Sequence, residues 1–281
     1  MHLEERLKQF GQVSDEDLDL AETALILSLL DRPAADPAPY RASLDALVAD
    51  ARRSFAAQGT ACEIMPATTR AMALGSAIAE KHGFEGDRTT YDDLDNADLI
   101  RVLERRRGLP VALSILYIHV GRALGWEIHG LNIPGHFVVE ITAGSERAIL
   151  DPFNRGRLLS ESDLKALISH ILGPGVKVED AHMARATNRD IILRLENNLA
   201  GRALKTGDKG RALTIVGRML LLAPHHASLW REYGMLQAMQ GNVLEARQAL
   251  ETCIEEAHKQ GDSLMAEEAV QALSRLKGKF H

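Results

Sequence analysis

The sequence predicts an α+β protein. A helical N-terminal region leads into a core where one buried helix packs on a small antiparallel sheet, and an all-α tail of helical hairpins follows. Three observations carry this reading. Val111 to Leu124 is apolar almost all round, broken mainly by Ser114, His119 and Arg122, and a helix of that composition sits inside a core rather than on its surface. EIHGLNI, HFVVEIT and RAILDP then follow as short β-rich runs with turn residues between them. In the last third, Gly207 and Gly241 stand 34 residues apart, as do Ala212 and Ala246, a fixed period that marks stacked repeats.

Taken in order, Ser14 with Asp17 predicts a helix start, running through Leu30 and stopping before Pro33. AADPAP (34–39) is a rigid connector. Tyr40, Leu44, Leu47, Val48, Ala51 and Phe55 share one helical face. A third helix runs from Ala67 to His82 and ends at Gly83. FEGDRTTYDDLDNAD predicts a polar surface loop. Asp98 to Arg107 forms a short helix whose arginines (Arg101, Arg105, Arg106, Arg107) offset the negative end of its dipole. Pro110 suits the first turn of the buried helix, where no backbone N–H is needed, and Gly125 ends it. AGSE is a hairpin turn. Ser160 with Asp163 starts a helix through Leu172 that GPG stops, and the segment up to Arg185 reads as a linker.

Beyond it, Trp230, Gly234, Gly241, Ala246 and Leu250 fall on the tetratricopeptide pattern, with Pro224 closing the preceding unit. The first unit has Glu196 where the aromatic belongs and Ala200 for its glycine. Arg247 to His258 and Ala266 to Leu276 supply the last helices. The domains are thus expected at 1–185 and 186–281, the repeats docking on the first because two repeats stand alone poorly.

The 281 residues carry a formal net charge of −6, which argues against nucleic acid as the main partner. Cys62 and Cys253 lie far apart without Cys or His at ligand spacing. That suits a reducing compartment and predicts neither a disulfide framework nor a metal site. The acidic N-terminus lacks the apolar core of a secretory signal, and no uncharged apolar run approaches the ~20 residues of a membrane span. The expected location is cytoplasmic. No Walker loop, dinucleotide glycine fingerprint or HExxH motif occurs, so no cofactor is expected.

The stretch from Arg105 to Asp151 organises the chain. A nucleophile at a helix start, backed by His and Asp from neighbouring strands, is how a cysteine-type acyl-transfer site is assembled; here His136 and Asp151 bracket the strand region. RRRGLPVALSILYIHVGRALG, NIPGHFVVE and ILDPFNRGRLLS, in that order, resemble the transglutaminase-like domain of SirB-type bacterial proteins, which also carry a helical N-terminal region and a tetratricopeptide-like tail. The resemblance covers nearly the whole chain. It implies a papain-like core, His136 as the family histidine, and Asp151 as the aspartate that orients it. Aligned on the Arg122–Gly125 block at the end of the buried helix, the family's Gly-x-Cys falls on Gly108, Leu109 and Pro110, so proline replaces the nucleophilic cysteine.

Proline has neither a side-chain nucleophile nor an N–H for an oxyanion. The favoured expectation is therefore a non-catalytic binding or regulatory module, with His136 and Asp151 as triad remnants and Pro110, Ser114 and His136 lining a cleft for a peptide or small acyl ligand. A protein or peptide partner is expected on the repeats. The alternative is a hydrolase or acyltransferase in which Ser114 or Cys62 acts as a displaced nucleophile with His136 and Asp151. Ser114, one turn into the helix on the same face as Pro110, reads first as a helix back-bond; Cys62 reads first as a structural thiol.

Overall fold

The computed structural model describes residues 3–56, 65–173 and 176–278, which fall into two compact units, residues 15–195 on one hand and 1–14 with 196–281 on the other. The sequence division at 185 thus differs at both ends: the first fourteen residues cluster with the repeats, and residues 186–195 with the core. The chain opens with α1 (Leu3–Gln12), which the sequence reading left without structure.

In the first unit, α2 spans Leu20–Leu30 and is capped by Asp19, whose carboxylate accepts the Glu22 N–H at 3.0 Å. The expected start at Ser14 is corrected, because Asp19 sits directly before the apolar run. α3 (Ala38–Ala56) follows. α4 (Ala67–Gly75) continues as a π-helical segment over Ser76–Lys81 and ends at Gly83, whose φ of 75° a side chain would resist. β1 (Glu85–Gly86) pairs in parallel with β2 (Arg107–Gly108), on either side of α5 (Leu99–Arg105). The predicted polar loop between β1 and α5 is no surface strap at its two anchors. Asp87 is buried, accepts the Thr89 and Thr90 N–H groups at 3.0 and 2.8 Å, and pairs with Arg105 at 2.8 Å; the buried Asn96 donates to the Thr90 carbonyl at 2.6 Å.

α6 (Pro110–Ala123) is the core helix, with every residue from Pro110 to Ile118 buried. Each large apolar side chain removed from water there contributes about 1.5–3 kcal/mol. Pro110 occupies the first turn, as expected, and the preceding Leu109 N–H is satisfied by the Asn96 carbonyl at 2.8 Å. α6 packs on a five-stranded antiparallel sheet of β3 (Glu127–Leu131), β4 (Val138–Ala143), β5 (Glu146–Asp151), β6 (Arg157–Leu159) and β7 (Arg185–Ala186), in the order β6-β5-β4-β3-β7. β4 and β5 meet at a two-residue turn, Ala143 opposite Glu146, with Gly144 at φ 60°. α7 (Glu161–Leu172) starts with the expected capping box of Ser160 and Asp163. The segment before Arg185 is not a free linker: β7 pairs with β3, and Arg185 holds the buried Glu140 at 2.7 Å. α8 (Asn188–Lys205) begins here, its first N–H groups accepted by the Asp15 carboxylate at 2.8 Å.

The second unit holds the helical hairpins: α9 (Lys209–Leu222), α10 (Ala227–Gln240), α11 (Val243–Gln260) and α12 (Ser263–Gly278). Small residues sit at the close approaches, as the repeat pattern requires. A Cβ on Gly234 would lie 3.0 Å from Leu250 and 3.2 Å from the Ala246 carbonyl. α1 packs on α9 in this unit, where a Cβ on Gly11 would lie 2.1 Å from the Leu221 carbonyl oxygen.

Candidate functional site

The loop that carries His136 is set by its own residues. Ile133, Pro134, Gly135 and His136 form a turn closed by the His136 N–H donating to the Ile133 carbonyl at 3.2 Å. Proline presets φ at the second position and Gly135 supplies φ 64° at the third, the type II pattern. His136 therefore lies in this turn, two residues before β4; it does not open the strand as the sequence suggested, because the turn uses up its N–H. Arg194 of α8 fixes the loop from outside by donating to the His136 carbonyl at 2.9 Å.

Asp151 ends β5 and caps the 3₁₀ turn Pro152–Asn154. Since Leu150 pairs with Val139, Asp151 lies level with the start of β4, and the turn folds His136 back toward it. His136 Nε2 and Asp151 Oδ2 are 3.0 Å apart. Asp151 also accepts from Asn154 Nδ2 at 2.6 Å and from the Asn154 N–H at 3.2 Å. Burial on its own would raise the Asp151 carboxyl, but the hydrogen bond and charge of His136 and the bonds from Asn154 outweigh it and hold it below the usual range. The His136 side chain is 12% exposed and that of Asp151 2%, so the pair meets solvent only through the imidazole. Pairing through Nε2 leaves Nδ1 as the nitrogen available to an incoming group. The Phe153 ring stands edge-on to the imidazole, centroids 6.0 Å apart.

The remaining predicted residues divide clearly. α6 packs against the Pro152–Asn154 turn, so the helix that starts at Pro110 borders the His136–Asp151 pair. Ser114 is fully buried, and its hydroxyl donates to the Pro110 carbonyl at 2.8 Å, the helix back-bond that its position implied. That bond occupies its proton and, with its burial, turns the hydroxyl into the helix rather than toward solvent. Cys62 lies outside the described residues. Cys253 is buried in the second unit, and burial pushes its thiol up, away from thiolate chemistry. Sequence reasoning missed Arg194, Asn154 and Tyr117. Tyr117 is buried two turns along α6 from Pro110; its pKa is raised, first by burial and then by the charge of Asp151, and its hydroxyl has no hydrogen-bond partner among the described residues. No group of three or more His, Cys, Asp or Glu among the described residues could hold a metal ion, and no described helix is long and apolar enough to cross a membrane.

A family model described as the transglutaminase-like superfamily matches residues 38–197, and a tetratricopeptide-repeat model matches 199–271. A UPF0162 protein of Xylella fastidiosa is 30% identical over 242 residues, 85% of this chain and 84% of that protein. A UPF0162 protein of Pseudomonas aeruginosa is 30% identical over 205 residues, 73% of this chain and 72% of that one. Human F-box only protein 21 is 27% identical over 143 residues, covering 48% of this chain and 22% of that protein. With the family model spanning more than half its length and bacterial relatives aligned along most of it, this chain belongs to the transglutaminase-like superfamily, followed by tetratricopeptide repeats as in the SirB-type arrangement.

Proposed function

We propose that this protein is a non-catalytic member of its superfamily that works by binding a protein or peptide partner, with Pro110 in place of the nucleophilic cysteine. The observation that carries the reading is the start of α6. A buried proline stands in the first turn of α6, where the family resemblance puts the nucleophile, and the hydroxyl one turn on, Ser114, donates to the proline's own carbonyl. What persists is a polarised His136–Asp151 pair beside a helix without a nucleophile, an arrangement suited to accepting a hydrogen bond from a ligand or donating one to it.

The repeats support partner binding. Tetratricopeptide repeats generally mediate protein–protein interaction, and here the hairpins expose Met235 and Met239 one turn apart on α10, Leu244 on α11, and Leu264 and Val270 on α12. Exposed methionines adapt to varied apolar partners.

The test is chemical. Full-length protein is incubated with an acyl-phosphonate probe and with a thiol-alkylating probe, in parallel with His136→Ala. The expected result is no stoichiometric labelling that depends on His136. Stoichiometric labelling of Ser114 or Cys62 that vanishes in His136→Ala would restore an enzyme with a displaced nucleophile.

A further inference from the structure

Next to the His136–Asp151 pair, and sharing Phe153 and Asn154 with its surroundings, lies a cleft of about 580 Å³ lined by Glu85, Gly86, Arg88, Thr89, Arg107, Phe153, Asn154, Arg155 and Arg157. Its charge runs against that of the chain. The protein carries a formal −6, yet this lining has four guanidiniums and one carboxylate. Glu85 is shared between Arg155 at 3.0 Å and Arg107 at 3.4 Å. Among the described residues Arg88 pairs with no acid: it donates to the neutral Asn154 amide and lies over the Phe153 ring, 5.7 Å from the centroid. Arg157 reaches Asp163 at 3.4 Å, but that carboxylate is already engaged by the Ser160 hydroxyl at 2.6 Å and the Ser160 N–H at 3.0 Å. Even with Asp163 counted, four cations face two carboxylates, an excess of two positive charges.

The cleft is also shaped. Phe153 forms a wall because residue 86 is glycine; a Cβ there would fall 2.4 Å from the ring. Arg155 is held by a backbone φ of 58°, rare outside glycine, and by its contact with Glu85. Arg107 extends from the short β1–β2 pair, where it sits opposite Glu85. Guanidinium forks match the two oxygens of a carboxylate or phosphate, and the volume falls within the range of small-ligand sites. We infer that this cleft binds a small polyanion, a ligand presenting at least two oxyanion groups to Arg88, Arg107, Arg155 and Arg157. The inference goes beyond the proposed function and does not depend on it, because it requires neither a nucleophile nor a protein partner.

Isothermal titration of the full chain with inorganic pyrophosphate and with tricarballylate, at low and at physiological salt, tests it. The expected result is one equivalent bound, more weakly as salt rises. Arg88→Gln and Arg157→Gln should each weaken binding by roughly tenfold or more, while Glu85→Gln, which removes the lining's carboxylate, should tighten it by about threefold or more. That gain in affinity cannot come from a damaged fold. Pyrophosphate alone binding would identify phosphate groups, tricarballylate alone carboxylates, and both a site that reads charge; each supports a polyanion cleft. Binding of neither probe, unchanged affinity in both arginine variants, or a Glu85→Gln protein no tighter than the parent would overturn the inference.

Discussion

Asp151 accepts three donors at once, from His136 and twice from Asn154, while it is almost completely buried. Asp151→Ala would strand all three, at a cost of about 2–4 kcal/mol read from denaturant unfolding. The depressed carboxyl sets the direction of the pH effect. Its folded value lies below the ordinary 3.8, so its contribution is complete above that value and is lost as pH falls through the depressed one. The stability gap between the parent and Asp151→Asn should therefore close on the acid side only; curves that stay parallel down to the acid limit would refute it. At this scale the sequence was legible where contacts are local. Pro134-Gly135 marks a break between strand runs, although His136 falls inside that turn rather than opening the next strand, and the Ser114 back-bond spans a single helical turn. Arg194 was not legible, since it reaches the His136 carbonyl from 58 residues away and no spacing rule links the two. Tyr117 was hidden by its surroundings, one polar tip in a run of apolar side chains.

The loop between β5 and β6 shows how closely the elements approach. Arg155 and Gly156 are both left-handed, and a Cβ at Gly156 would lie 2.7 Å from the Gly75 Cα and 2.8 Å from the Tyr117 hydroxyl. Gly156→Ala therefore meets the backbone of α4 and the side chain of α6 together. The expected loss is about 2–4 kcal/mol, seen as a fall in Tm of several degrees, with Gly83→Ala, which would meet nothing within 4 Å, as the milder control. Equal losses in the two variants would mean that backbone strain alone, without crowding, governs the site. α6, the sheet runs and the Ser160 capping box were legible because strong periodicity or a cap motif marks them. The π-helical continuation of α4 was not, because six residues are too few to separate its period from that of an α-helix. β7 escaped for the same reason: two residues have no alternation to read.

Two compact units share one chain, and the repeat unit takes its first helix from the opposite end of the sequence. That assignment was illegible because the burial of Leu7 depends on α9, about two hundred residues downstream. Gly11→Ala places a methyl against the Leu221 carbonyl, and the expected cost is about 1–3 kcal/mol, confined to its own unit. Peptide-resolved hydrogen exchange should show faster exchange across 196–278 with 15–195 unchanged. Acceleration within 15–195 instead would contradict the division.

The position of α1 also bears on biosynthesis. A ribosome adding roughly 5–20 residues per second releases this helix roughly ten to forty seconds before the groove on α9 exists to receive it. During that interval the intervening unit can complete its own folding, whereas Leu7 and its neighbours wait without a seat. Nascent chains truncated before residue 209 should therefore carry an unprotected amphipathic tail, a natural target for holding chaperones until translation nears its end.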